Sequence, residues 1–405
     1  MHKKIFIALI FLAALFNINR AWAMSAEERN LMCAFASMAA YSSDVGTSIR
    51  DELTARGWMV EPIEAFSSKA DAKALLLRRT TAEGRINILS ICGTEDQKDA
   101  EIDLRVKPMP FDVEGGLVHT GFNDYAATLL DNDRFLALID EVERSGEKLF
   151  LTGHSLGGAV ALLTAARLTE RGLGDSIEVI TFGAPAVGDR YFVNYFDGRI
   201  NLTRITVSGD PIKKSLRSLG YTHVGEAVKY VPAKSIAHFR HKMAVYLDCA
   251  LRNYYDARSE DWSGGATVGK IYAAPIRLVA GEFARSDEKY IGLIARDVLT
   301  AQNAGVVFAP TPVMLIERED YEDDFTDVAQ EEFRAARAAG CDRVLIQLIR
   351  LQTEREARRD VDRVTLERIV CDLKGFPLSM QTSSMRTSEV TALEAILFAQ
   401  WRSSL

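Results

Sequence analysis

The run Gly153-His154-Ser155-Leu156-Gly157 fits G-x-S-x-G, the pattern in which a serine hydroxyl serves as a nucleophile on a sharp strand-to-helix turn. Its setting gives the pattern meaning. Residues 149–152 form a short apolar run of strand type, and residues 156–171 are Ala/Leu-rich at helical spacing and stop at Gly172. A serine at such a turn has a strained backbone, so its neighbours must be small, and Gly153, Gly157 and Gly158 supply the room. The turn lifts the hydroxyl above the strand ends and aims a helix dipole at any oxyanion that develops there. The chemistry implied is acyl transfer through a covalent intermediate. The alternative is a structural turn with a serine N-cap, which would need neither Gly153 nor Gly157.

A serine hydroxyl is a weak nucleophile without a base, and the chain has only six histidines. His2 lies in the N-terminal apolar segment, and no histidine follows His241. In the order serine, acid, histidine usual for this turn, Asp210 follows the apolar run 202–207 directly, which sets its carboxylate at the sheet edge that carries Ser155. An aspartate in an ordinary Gly-Asp-Pro turn is the competing reading. The base is then His223, His238 or His241.

These residues need a scaffold. Residues 26–42 and 50–57 read as helices, and 59–66, 74–78, 85–92 and 102–106 as strands. A helix is expected over 122–144, a buried strand over 177–182 and another over 202–207. Strands that are continuous apolar runs separated by helices imply an α/β fold with a mostly parallel sheet and helices on both faces. The polar, glycine-bearing stretch 256–269 reads as a linker. The division is thus 1–23, 24–255 and 256–405. Beyond the linker, a strand over 306–317, a helix over 325–339, a strand over 343–351 and helices over 364–373 and 390–401 suggest a small C-terminal α/β appendage.

At about 150 residues per domain, 405 residues exclude a single small module. A composition of 48% hydrophobic and 26% charged residues is that of a folded globular chain. The formal charge is −7 with no dense Lys/Arg stripe, which argues against a nucleic-acid partner. Residues 1–23 (MHKKIFIALIFLAALFNINRAWA) have two lysines, a twelve-residue apolar run and an Ala-Trp-Ala ending: a secretory signal peptide, too short to span a bilayer. The mature protein is expected to be exported, to a periplasm or out of the cell. Five cysteines, at 33, 92, 249, 341 and 371, lack Zn-type spacing and read as isolated buried thiols. With no H-E-x-x-H, neither a metal nor another cofactor is expected. Residues 264–270 (GGATVGK) fit a P-loop only superficially, because Ile271 replaces the Mg²⁺-binding Ser/Thr. The acidic stretch 317–324 and the charged 354–360 read as solvated faces.

Six pieces occur in order: Gly93-Thr94 after a strand, Val118-His119-Thr120-Gly121-Phe122 opening a helix, LTGHSLGGA at 151–159, TFGAPAVGD at 181–189, Asp210 after a strand, and Tyr221-Thr222-His223-Val224-Gly225-Glu226. From Gly93 to about Tyr246 the chain resembles the fungal-type (class 3) lipases of the α/β-hydrolase fold. The resemblance implies Ser155 as nucleophile and Asp210 as acid, with the oxyanion held by the N–H of Leu156 and the N–H and hydroxyl of Thr94. In that family the histidine of the Y-x-H-x-G piece is structural and the base comes later, near a tyrosine. His241, followed by Tyr246, resembles that later piece best, with His238 as the alternative. His119 and His154 match positions beside the site and are expected to be packed, hydrogen-bonded rings.

The activity implied is that of an exported serine ester hydrolase of lipase type, acting on acylglycerols or related carboxylic esters, its partner a lipid or other ester with transient contact to a lipid surface. A phospholipase A or a general carboxylesterase is the nearest alternative; a catalytically silent lipid-binding module is the alternative of another class. Two departures stand out. Cys92 occupies the place where the family usually has an arginine before Gly-Thr. Residues 95–101 (EDQKDAE) replace an amphipathic lid and offer no apolar face to lipid, so weak or absent interfacial activation is expected unless 106–113 act as the cover.

Overall fold

The computed structural model describes residues 24–81, 84–94, 107–111, 116–258, 269–303, 305–317, 330–356 and 359–403. The signal segment 1–23, the charged segment 95–101, the strand expected over 102–106, and most of the linker and of the P-loop-like and acidic stretches lie outside the described residues.

Local signals start the first elements. Ser25 caps α1 (Ala26–Ala39) and forms a capping box with Glu28, and Ser43 caps α2 (Asp44–Ala55). Strands β1 (Met59–Phe66), β2 (Asp71–Thr81) and β3 (Gly84–Ile91) follow, then the short β4 (Pro108–Pro110) and β5 (Leu117–His119). The single helix expected over 122–144 is two, α3 (Thr120–Leu130) and α4 (Asp133–Ser145). The break comes at Asn132, whose side chain accepts from the N–H groups of Arg134 and Phe135 and so begins a new helix in mid-run. Next come β6 (Leu149–His154), α5 (Leu156–Glu170), β7 (Ile177–Phe182), α6 (Arg190–Phe196), β8 (Leu202–Val207), β9 (Ala227–Tyr230) and α7 (Met243–Ala257).

The sheet order is β1-β2-β3-β6-β7-β8-β9. Strands β1 to β3 pair antiparallel; β3, β6, β7, β8 and β9 are parallel to one another. Every residue of β6 and β7 is buried, as expected of central strands covered on both faces. Leu149 and Leu151 of β6 share a core with Leu162 and Leu163 of α5, each such side chain contributing on the order of 1.5–3 kcal/mol. Thr152, on the opposite face by the two-residue period of a strand, bonds Ser37 of α1 at 3.2 Å. The loops after β3, β6 and β8 leave from one sheet edge, the carboxyl end of the parallel strands, where open α/β sheets bind ligands.

Chain contacts divide the protein between Leu251 and Arg252, inside α7, and not in the polar stretch after residue 255. The C-terminal unit contains β10 (Ile271–Ala273), β11 (Ile276–Val279), α8 (Arg285–Gln302), β12 (Val306–Phe308), β13 (Val313–Ile316), α9 (Gln330–Ala338), β14 (Arg343–Glu356), β15 (Arg359–Asp372), β16 (Pro377–Arg386) and α10 (Ala392–Arg402). Its sheet runs β12-β10-β14-β11-β13, with β15 and β16 continuing antiparallel from β14. Helix α9 covers Val344 and Ile346, and α8 covers the alternate residue Leu345. The strand expected over 306–317 is two, separated at Pro310-Thr311-Pro312, where two residues lack the N–H a ladder needs. The helix expected over 364–373 is part of β15. Val364, Leu366, Arg368 and Val370 are buried in strict alternation, and the arginine hides that period in the sequence. Arg368 donates to Gln302 and to the Ser403 carbonyl, which accounts for a charge in that place. All five cysteines are buried, and none is in a disulfide.

Candidate active site

Ser155 follows β6 directly and has φ 56° and ψ −126°, the one non-glycine residue with positive φ among those described. An L-residue adopts that conformation only where the surroundings impose it. Here the Ser155 N–H donates to the Phe182 carbonyl at the end of β7, and α5 begins at once. Gly157 makes the turn possible, since a Cβ there would lie 2.1 Å from the Ile91 carbonyl oxygen at the end of β3. Two backbones approach too closely for any side chain. Gly157→Ala is therefore expected to lose about 1–3 kcal/mol, a fall in melting temperature of about 3–10 °C by circular dichroism. An unchanged midpoint would contradict this close packing.

Although Ser155 stands at the N-cap position of α5, its side chain makes no capping bond. The hydroxyl instead donates to His241 Nε2 at 2.8 Å, and His241 Nδ1–H donates to Asp210 Oδ2 at 2.8 Å. All three side chains are buried. Asp210 sits in the turn after β8 and accepts two further donors, the Ile212 N–H at 2.8 Å and the Tyr246 hydroxyl in a short bond. Burial, the largest influence on Asp210, pushes its pKa up. The bonds from His241, Tyr246 and Ile212 together outweigh it and hold the carboxyl below its ordinary range. Tyr246 comes from α7, receives the Val207 N–H at 3.3 Å, and is pushed well above its usual pKa by burial and by the Asp210 charge.

Thr94 and Leu156 line one cavity of about 430 Å³, together with Gly93, His119, Phe122 and Tyr125, and with Lys69, Asp71 and Lys73. Its volume is in the range of small-molecule sites. His119 is buried, caps α3 through Nδ1 and stacks on Phe122 at 3.9 Å. His223 and His238 are half-buried, and neither bonds the Ser155 hydroxyl.

His154 is buried against His241, their ring centroids 4.7 Å apart. Its Nε2–H donates to the His241 carbonyl at 2.7 Å and its Nδ1 accepts from the Tyr41 hydroxyl at 2.6 Å. Burial, with His241 beside it, lowers the His154 pKa to about 3 from an ordinary 6.5. Between those values the unfolded chain binds a proton that the folded chain refuses, so stability falls as pH falls through this window, by about 1.4 kcal/mol per pH unit for this residue. His154→Gln is expected to flatten that slope in urea denaturation between pH 6.5 and 4.5. Parallel slopes for the two proteins would contradict a neutral His154.

Tyr41 and Tyr246 are the residues that sequence reasoning did not assign to the site. Tyr246 carried a signal, its position five residues after His241; Tyr41 carried none.

Residues 88–217 match the family described as Lipase (class 3). A lipase from Rhizomucor miehei is 37% identical over 131 residues, covering 31% of this chain and 36% of that protein. A secreted mono- and diacylglycerol lipase from Malassezia restricta is 28% identical over 209 residues, 51% of this chain and 65% of that one. The chain thus spans between about a third and two thirds of the length of these curated relatives. Among solved structures, a triacylglyceride lipase from Rhizomucor miehei is similar over 51% of this chain and 81% of that one, at 22% identity and a TM-score of 0.43. Over residues 88–217, around the strand, turn and helix that carry Ser155, the chain is similar to the class 3 lipases.

Proposed function

We propose that this protein is an exported serine ester hydrolase of lipase type, acting on acylglycerols or related carboxylic esters. The observation that carries the reading is the unbroken chain of hydrogen bonds from Ser155 through His241 to Asp210, beside a cavity lined by Thr94 and Leu156. As the Ser155 oxygen attacks an ester carbonyl, His241 takes its proton, and Asp210 keeps the imidazole in the tautomer that can accept it and stabilises the charged ring. The N–H groups of Leu156 and Thr94 hold the oxyanion; removing one donor from such a site costs about 10²–10³ in turnover. His241 returns the proton to the leaving alcohol. Water, deprotonated by the same ring, then releases the acid from the acyl-enzyme.

The lysines and aspartate on the cavity wall suit an ester with a polar portion, as in partial glycerides, and relatives such as the one from Malassezia restricta are named secreted mono- and diacylglycerol lipases. Those names, with the signal-like residues 1–23, support export to a periplasm or to the medium. Among the described residues no helix is long and apolar enough to cross a membrane.

The test is a panel of p-nitrophenyl esters from short to long chain, with mono-, di- and triacylglycerol and phospholipid emulsions. Turnover of acylglycerols is expected. Preference for phospholipid would make the protein a phospholipase A; activity confined to short soluble esters would make it a general carboxylesterase. Because residues 95–101 carry five charges, specific activity is expected to stay level as a short-chain ester passes its solubility limit. A sharp rise there would refute that expectation.

A further inference from the structure

We infer that Tyr41 and His154 form a positioning brace that holds the backbone of His241 and the end of β3 in register with Ser155, and that turnover depends on it. The inference rests on the catalytic reading of Ser155, His241 and Asp210 proposed above.

His241 lies in the irregular stretch 231–242 between β9 and α7, where no strand or helix fixes its ring. The carbonyl of His241 can only accept, so His154 Nε2 carries the hydrogen in the 2.7 Å bond between them. With Nε2 protonated in a neutral ring, Nδ1 must accept, and the Tyr41 hydroxyl at 2.6 Å donates to it. Tyr41 thereby selects the one tautomer of His154 that can hold the base. His154 is also the residue before Ser155, so the nucleophile's turn and the base's loop share one tie.

The same hydroxyl reaches the oxyanion side. A Cβ on Gly93 would lie 2.6 Å from the Tyr41 oxygen and 2.6 Å from the His154 carbonyl, so only glycine lets the strand end before Thr94 pass between them. Tyr41 is itself anchored: Arg50 donates to its carbonyl at 2.8 Å and to that of Ala39 at 2.5 Å, fixing the connection from α1 to α2. Residue 41 lies outside 88–217, so the N-terminal helices contribute to the site from beyond the family match. Electrostatics fit the same role. A neutral His154 does not repel the positive charge that His241 acquires 4.7 Å away during turnover, whereas a second imidazolium would.

The test compares Tyr41→Phe, His154→Leu and His154→Gln in the full-length protein, with Ser155→Ala as reference, measuring kcat and KM on one soluble ester and the melting temperature of each. Small misplacements of reacting groups cost up to about 10²-fold in rate, so kcat is expected to fall about tenfold in Tyr41→Phe and about 10²-fold in His154→Leu, with KM within about twofold. His154→Gln, whose amide can still donate to the His241 carbonyl, is expected to restore kcat to within about threefold to fivefold of wild type on the same scale. Folded Tyr41→Phe and His154→Leu proteins that turn over at the wild-type rate, beside an inactive Ser155→Ala, would overturn the brace and leave the catalytic reading standing. So would a loss confined to KM. Full activity in Ser155→Ala would instead overturn the catalytic reading. Should His154→Leu fail to fold, Tyr41→Phe, which keeps its ring, decides the matter alone.

Discussion

Replacing Ser155 by glycine is expected to lower kcat by about 10⁶, because the remaining groups of such a site act almost only through the missing oxygen. The same substitution is expected to leave the protein more stable than Ser155→Ala. At φ 56° and ψ −126° any residue with a Cβ carries strain of about 1–3 kcal/mol, which glycine releases. Opposite movements of activity and stability at one residue mark a conformation maintained for chemistry, since a turn selected for folding would place glycine there. Urea denaturation of the two inactive variants checks the second half. Equal midpoints would mean that the backbone at Ser155 is not under load.

Asp210→Asn is expected to lower kcat by about 10⁴ with little change in KM. Three donors converge on that carboxylate: His241 Nδ1–H, the Tyr246 hydroxyl and the Ile212 N–H. An asparagine brings an amide N–H₂ into a place where every neighbour already donates. The economical escape is for His241 to move its proton from Nδ1 to Nε2, where it faces Ser155 and can no longer accept. Both the orientation and the charge of the acid are lost in one step. A kcat within tenfold of wild type would show that Asp210 is not the group that orients His241.

Some of this was legible in the sequence for physical reasons. The turn at Ser155 advertises itself because a strained nucleophile demands glycines at fixed offsets, and three of them stand there. Scarcity narrowed the base, since few histidines follow Asp210. Residues joined only by folding carry no such mark. Tyr41 is 113 positions from His154, and no local pattern connects the end of one helix to the ring beside Ser155. Secondary structure failed where one residue masked a period: Asn132 interrupts an amphipathic run to cap a second helix, and Arg368 occupies a buried strand position that an apolar side chain would have made readable. A buried arginine is paired by distant groups, here Gln302 and the Ser403 carbonyl, which only the fold brings near.

Covalent labelling of the folded protein with a fluorophosphonate, the modified residue located by mass spectrometry, asks whether Ser155 is the nucleophile. The expected result is a single adduct on Ser155, slowed strongly in His241→Ala and in Asp210→Asn but not in His238→Ala or His223→Ala. No adduct on Ser155 in the folded protein would mean that Ser155 is not a nucleophile and leave the fold as a silent lipid-binding module.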